Sequence, residues 1–187
     1  GSYTSPEDTA DYVDSTAPLA PTTTGVTTDP AGLVTVAGTG EPGATVTVTY
    51  PSGETATAVV GTDGTWTATS TNPEEGGDIT ATQTDVNGNV SPSTDAGTLV
   101  SIATVVGEDD GTVTVTGTAE AGAVVTITFP NGETGTVTAG TDGTFSVTST
   151  TVQPAGAAGV DDIMASSTDG SYTSPEDTAD YVDSTAP

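Results

Sequence analysis

Thr and Val alternate over long stretches of this chain. Val46 and Val48 fall on one side of an extended backbone, and Thr45, Thr47 and Thr49 fall on the other. Successive side chains of a strand point to opposite faces, so this period of two predicts half-buried β-strands. In the first half, strands are predicted over 22–28, 33–39, 44–50, 55–60, 65–70, 78–84 and 90–97. Turn residues punctuate them: Asp29-Pro30-Ala31-Gly32, Glu41-Pro42-Gly43, Pro51-Ser52-Gly53, Thr62-Asp63-Gly64, a loop from Asn72 to Gly77, and Asn87-Gly88-Asn89. Gly, Pro, Asn and Asp suit turns for mechanical reasons: positive φ, fixed φ, or a side chain that bonds its own backbone. Trp66 and Phe145 are the expected large core anchors, and the alternation around Val124, Ile127 and Phe129 reads as looser.

The chain repeats at two scales. Residues 1–18 recur unchanged at 170–187. Inside that period, 34–71 aligns with 113–150 without a gap, and 24 of 38 positions are identical. Two sibling domains are expected, 19–97 and 98–187, the second carrying a C-terminal linker. Residues 1–18 are expected to be a linker with an orphan last strand of a preceding repeat. Seven short strands per sibling, with turns at this spacing, predict an all-β fold of two tandem immunoglobulin-like β-sandwiches arranged end to end. Residues 1–13 are expected to be disordered or paired with a neighbour's sheet edge, and the chain is expected to be a piece of a longer array.

Composition sharpens the picture. The 187 residues include 26 Asp or Glu and no Lys, Arg, His or Cys, for a net charge of −26. High charge with few aromatics ordinarily signals disorder, but 44 Thr and 22 Val in alternation belong to strands. Nucleic acid and anionic lipid have no cation to meet. His- or Cys-dependent catalysis, zinc sites built on those residues and Lys–Asn isopeptide bonds are excluded. No apolar run is long enough to insert into a bilayer.

An up-and-down strand path gathers several carboxylates at the sandwich poles. Glu41, Asp63, Asp85 and Asn87, with Asp14 of the linker, are expected at the N-terminal pole of the first sandwich. Glu120, Asp142, Asp169 and the linker residue Asp95 are expected at that of the second, facing the acidic lower end of the first. Asp183 repeats Asp14. Oxygen-only ligands on turns, with no basic neighbour, favour a hard ion of high coordination number, Ca²⁺ before Mg²⁺. A single Asp-Gly turn is commonly only a turn; the convergence of several in both copies is what points to metal.

These residues also carry a family resemblance. GTGEPGATVTV (GTAEAGAVVTI in the second copy), then GTDGTW or GTDGTF, then TDVNGNVSP, is similar to the bacterial Ig-like extender repeats of giant RTX-type and biofilm-associated surface adhesins. Asp14-Ser15-Thr16-Ala17-Pro18 resembles the Asp-x-Thr-x-Pro junction of such repeats. The resemblance implies a calcium-stiffened, monomeric rod on the bacterial cell surface. Its partners would be neighbouring repeats and calcium ions, and it would hold an adhesive domain away from the cell after type I secretion. By position it implies Asp14, Glu41, Asp63, Asp85, Glu120, Asp142 and Asp169 as ligands. The short Asp169-Gly170-Ser171 turn departs from the pattern, lacking Asn-Gly-Asn.

Two other classes are weighed against a spacer. An enzyme would have to rest on carboxylates alone; Asp8-Thr9-Ala10 and Asp14-Ser15-Thr16 faintly resemble an aspartic-protease triplet but lie in repeated linkers. No enzyme is expected. A binding module for ice or glycan would use Thr-x-Thr ladders, but sheet twist of roughly 20–25° per strand spoils a flat lattice match. Tyr3, Tyr12, Tyr172 and Tyr181 read as linker-strand residues, not as a glycan platform.

Overall fold

The computed structural model describes residues 14–154, 161–169 and 173–182, with only the backbone of 161 and 162. The expectations placed on residues 1–13 and on Asp183 lie outside the described residues. Seven strands build the first sandwich: β1 (Thr22–Thr28), β2 (Val34–Thr39), β3 (Thr45–Thr49), β4 (Thr55–Val59), β5 (Thr65–Thr69), β6 (Gly77–Thr84) and β7 (Thr94–Leu99). Seven more build the second: β8 (Ser101–Gly107), β9 (Val113–Thr118), β10 (Val124–Thr128), β11 (Thr134–Thr138), β12 (Thr144–Thr148), β13 (Asp161–Thr168) and β14 (Asp177–Asp180). One sheet of each has the order β1-β2-β5 or β8-β9-β12, and the other β4-β3-β6-β7 or β11-β10-β13-β14, all pairs antiparallel. The expected all-β fold of two tandem immunoglobulin-like sandwiches is borne out.

The strand alternation becomes burial. In β3, Val46 and Val48 are fully buried while the threonines face outward. The second copy is as regular as the first, because Val125, Ile127 and Phe129 are its inward set and Val124 merely faces solvent. Trp66 and Phe145 are buried as expected, but the bulkiest fully buried side chains are Tyr50 and its counterpart Phe129. Each sandwich has its own hydrophobic cluster, and the two share no residue. Tyr181, expected as a linker-strand residue, directly follows β14 and is 4% exposed, packed into the second core.

Two further corrections concern the last strand of the first sandwich. It starts at Thr94, not at residue 90. Val90 makes only an isolated bridge to Thr84, and Pro92 has no N–H to donate to a ladder. Ser91 spends its hydroxyl locally, accepting from Gln83 N and donating to Pro92 O. Asp95, expected in the linker, lies inside β7 opposite Thr80. The strand then runs to Leu99, so a single residue, Val100, separates it from β8.

Candidate functional site

The tip of the first sandwich assembles as the strand path requires. Gly40 N donates to Gly64 O at 2.9 Å, tying the turn at Glu41 to the turn at Asp63. Asn89 Nδ2 donates to Asp14 O at 3.0 Å, bringing in the turn at Asp85 and the entering segment. Gln83 clamps both sides, its Oε1 accepting from Glu41 N and its Nε2 donating to Leu19 O. Glu41, Asp63, Asp85, Asn87 and Asp14 therefore share one end of the sandwich. Gly43 and Gly64 close two of the turns with φ near +88° and +82°, where any side chain would be strained.

The carboxylates at this tip hold their own turns. Asp63 Oδ1 accepts from Thr65 N and Oγ1, and Asp142 Oδ1 does the same with Thr144. Asp85 Oδ1 accepts from Asn87 N and Asn89 N, and Oδ2 from Asn89 Nδ2. Asp14 Oδ1 accepts from Thr16 N. Hydrogen bonds to the charged form favour it. The Thr65 N–H holds the Asp63 carboxyl below its usual range, the Thr144 N–H does so for Asp142, and the Asn89 amide does so for Asp85.

The junction between the sandwiches is different in kind. One cleft is lined by Thr23, Thr24, Gly25 and Asp95 of the first and by Glu120 and Asp169 of the second. An adjoining cleft adds Asp78, Thr98 and Asp142. Burial, then the negative charges of Asp169, Asp95 and Asp78, push the Glu120 carboxyl up. Its repelling neighbours come from both sandwiches. Asp78 was not foreseen; it is the second residue of β6, opposite Thr98, whose hydroxyl donates to it at 2.8 Å. On the other side of the junction Glu74, Glu75, Glu176 and Asp177 line a smaller cleft. At Gly76 a Cβ would collide with Ser101, so the two sandwiches touch there at backbone distance.

An all-oxygen, all-anionic donor set fits a hard divalent ion in chemistry. Among the described residues, however, no three acidic side chains are already grouped to hold a metal. Asp95, Asp142, Glu120 and Asp169 line the junction clefts; Asp14, Glu41, Asp63, Asp85 and Asn87 stand at the far tip.

Sequence reasoning missed a second use of carboxylate. Glu133, on the turn after β10, accepts from the N–H and hydroxyl of both Thr150 and Thr151, and from Gln153 Nε2. Glu54 repeats this with Thr71 and Asn72. Each latch ties the edge of one sheet to the end of a strand in the other. Donation from the Thr151 and Thr150 hydroxyls and the Thr150 N–H lowers the Glu133 carboxyl to about 2. The available signal was an acid at the same place in both repeats, in a chain that offers no cation to pair with it. A depressed folded pKa adds stability that is full above the unfolded value of about 4.3 and vanishes as pH falls through the folded one. Glu133→Gln is therefore expected to lower the melting temperature of the second sandwich at pH 7, with the gap from wild type closing between pH about 4.5 and about 2. A gap constant down to pH about 2 would contradict the latch.

A family model described as bacterial Ig domain matches residues 17–99 and again 101–183. The chain belongs to the bacterial Ig domain family. Its two bacterial Ig domains lie in tandem, as the resemblance implied. Among solved structures, a biofilm associated protein (BSP domain) is 22% identical, covering 90% of this chain and 30% of that one at a TM-score of 0.33. A second, from work on host cell surface retention of a 1.5-MDa bacterial ice-binding adhesin, is 21% identical, covering 88% of this chain and 65% of that one at a TM-score of 0.33. The chain thus spans less than two thirds of either, and superpositions this loose support no functional argument. No curated protein matches the chain.

Proposed function

We propose that this pair of bacterial Ig domains is a spacer of a bacterial surface adhesin, made rigid by Ca²⁺ at its domain junctions. The observation that carries the reading is the Glu120 carboxyl, pushed up by burial and by carboxylates of both sandwiches in a chain with no basic residue. Asp78 and Asp95 from one side, and Glu120 and Asp169 from the other, would hold the ion between them. A bound ion supplies the positive charge that the chain lacks. Because the ligands belong to two domains, binding and domain alignment are coupled by mass action. Asp14, Glu41, Asp63, Asp85 and Asn87 would meet a preceding repeat in the same manner. Tandem repetition in a chain without Lys, Arg, His or Cys suits a non-enzymatic, extracellular rod exported by type I secretion, whose partners are neighbouring repeats and calcium.

Thermal melts and small-angle scattering test this in about 2 mM CaCl₂, the range of extracellular calcium modules, against excess EDTA. Calcium is expected to raise the melting temperature and lengthen the particle. A carboxyl with a raised folded pKa opposes the junction as pH rises above its unfolded value. Glu120→Gln should therefore melt higher than wild type in EDTA at pH 7, yet gain less from calcium. Identical melts and scattering in calcium and EDTA would end the proposal.

A further inference from the structure

The chain has four asparagines, and two of them, Asn87 and Asn131, are followed by glycine. A side-chain amide in that setting is open to attack by the next backbone nitrogen, because glycine carries no Cβ to block the approach. The fold holds three of the four amides still. Asn72 Nδ2 donates to Glu54 Oε2 at 2.7 Å, and Pro73 after it has no N–H. Asn89 Nδ2 is shared between Asp14 O and Asp85 Oδ2, and β-branched Val90 follows it. Asn131 is tethered at both ends of its amide: Nδ2 donates to Thr151 Oγ1 at 2.8 Å, and Oδ1 accepts from Glu133 N at 2.7 Å. Asn87 differs. It is exposed, its backbone N–H donates to Asp85 Oδ1, and its side-chain amide has no hydrogen-bond partner among the described residues.

The two Asn-Gly turns are otherwise alike. Gly88 and Gly132 have φ of +90° and +83°, and each donates its N–H to the carbonyl three residues back. The grip is looser at Gly88, 3.2 Å to Asp85 O against 2.8 Å from Gly132 N to Phe129 O. Asp63, Asp110 and Asp142 also precede glycine, but an ionised carboxylate is a far poorer electrophile than an amide. Each of them is also held by the N–H of the threonine two residues on.

We propose that Asn87 is a site of non-enzymatic deamidation, which adds a carboxylate to the tip of the first sandwich. Gly88 N, losing its proton to solvent, bonds to Asn87 Cγ; the Cγ–Nδ2 bond breaks and ammonia leaves a five-membered succinimide. Water then adds to one of the two ring carbonyls and opens the ring, giving aspartate or isoaspartate at position 87. The net change is amide plus water to carboxylic acid plus ammonia, with nothing oxidised or reduced. The new carboxyl is ionised at neutral pH. It joins Asp14, Glu41, Asp63 and Asp85 at one end of the sandwich, in a chain with no basic residue. The isoaspartyl product also lengthens the backbone of the turn through which Asn89 holds Asp14 O.

The test incubates the full chain in warm, mildly alkaline buffer with EDTA, once folded and once in concentrated urea. Cleavage before aspartate releases 85–94 and 110–141, each with one Asn-Gly pair, and mass spectrometry with fragmentation locates a gain of about 1 Da. In urea the two sites are expected to convert at similar rates, because only the local sequence acts there. In the folded chain Asn87 is expected to convert at least ~10-fold faster than Asn131, whose two side-chain hydrogen bonds must break first. Equal rates at the two sites in the folded chain overturn the inference. So does an Asn87 that stays intact when folded while it converts in urea.

Discussion

Gly38→Ala should melt the first sandwich on the order of 15 °C below wild type. A Cβ at Gly38 would fall onto the carbonyl oxygen of Thr22 and within 2.5 Å of the Trp66 ring. Neither neighbour can yield: the carbonyl belongs to paired strand β1, which bulges at this point, and Trp66 is a 3%-exposed core residue. Overfilling of this kind costs about 3 kcal/mol, and each kcal/mol moves a domain of this size by roughly 4–8 °C. Trp66 is the sole tryptophan, so its fluorescence reports on the first sandwich alone. Gly117→Ala meets Ser101 O and the Phe145 ring in the same way, and should unfold the second sandwich while leaving the Trp66 transition in place. Gly25→Ala is the control, a strand glycine with nothing within 4 Å of its added Cβ. It should be neutral or slightly stabilising. Equal melting of the Gly38 and Gly25 variants would contradict the packing described above.

Tyr50→Ala should cost at least as much, about 4 kcal/mol. Tyr50 is 2% exposed and its hydroxyl donates to Ala68 O at 3.1 Å, from the end of one sheet to a strand of the other. Truncation removes the ring and leaves a buried carbonyl without this donor. Tyr50→Phe, which installs the residue found at position 129, should cost only about 1 kcal/mol. Burial, then the charges of Glu54 and Glu74, push the phenol up to about 12. A raised acid pKa makes the folded state lose stability as pH climbs above the unfolded value of about 10. Alkaline denaturation of the first sandwich should begin there, and Tyr50→Phe should blunt it. Urea melts followed by Trp66 fluorescence at pH 7 and pH about 11 measure both effects. A Tyr50→Phe chain as unstable as Tyr50→Ala would show that the hydroxyl, not the ring, carries the site.

Much of the fold was legible because its causes are local. Alternation is a relation between residues i and i+2, and a turn is a relation among four neighbours, so six of the seven strands of the first sandwich lie within about a residue of their expected ranges. The exception, β7, fails for a reason equally local once Pro92 and the hydroxyl of Ser91 are considered. The gathering of turns at one tip followed from strand direction alone. Which carboxylate does what did not follow. Glu133 reads in the sequence as an exposed turn acid, and its partners Thr150 and Thr151 are 17 and 18 residues away on the opposite sheet.

By itself, then, the sequence determined the strand pattern, the tandem bacterial Ig-like organisation and the absence of any side-chain cation to balance 26 carboxylates. Only the tertiary structure divided those carboxylates into turn caps, inter-sheet latches and the repelling group around Glu120. It alone showed that Gly38 and Gly117 lie under aromatic rings, and that Tyr181 belongs to a core. Periodicity and turn chemistry are written between neighbours along the chain. Desolvation, repulsion and steric exclusion depend on which distant residues arrive at the same place.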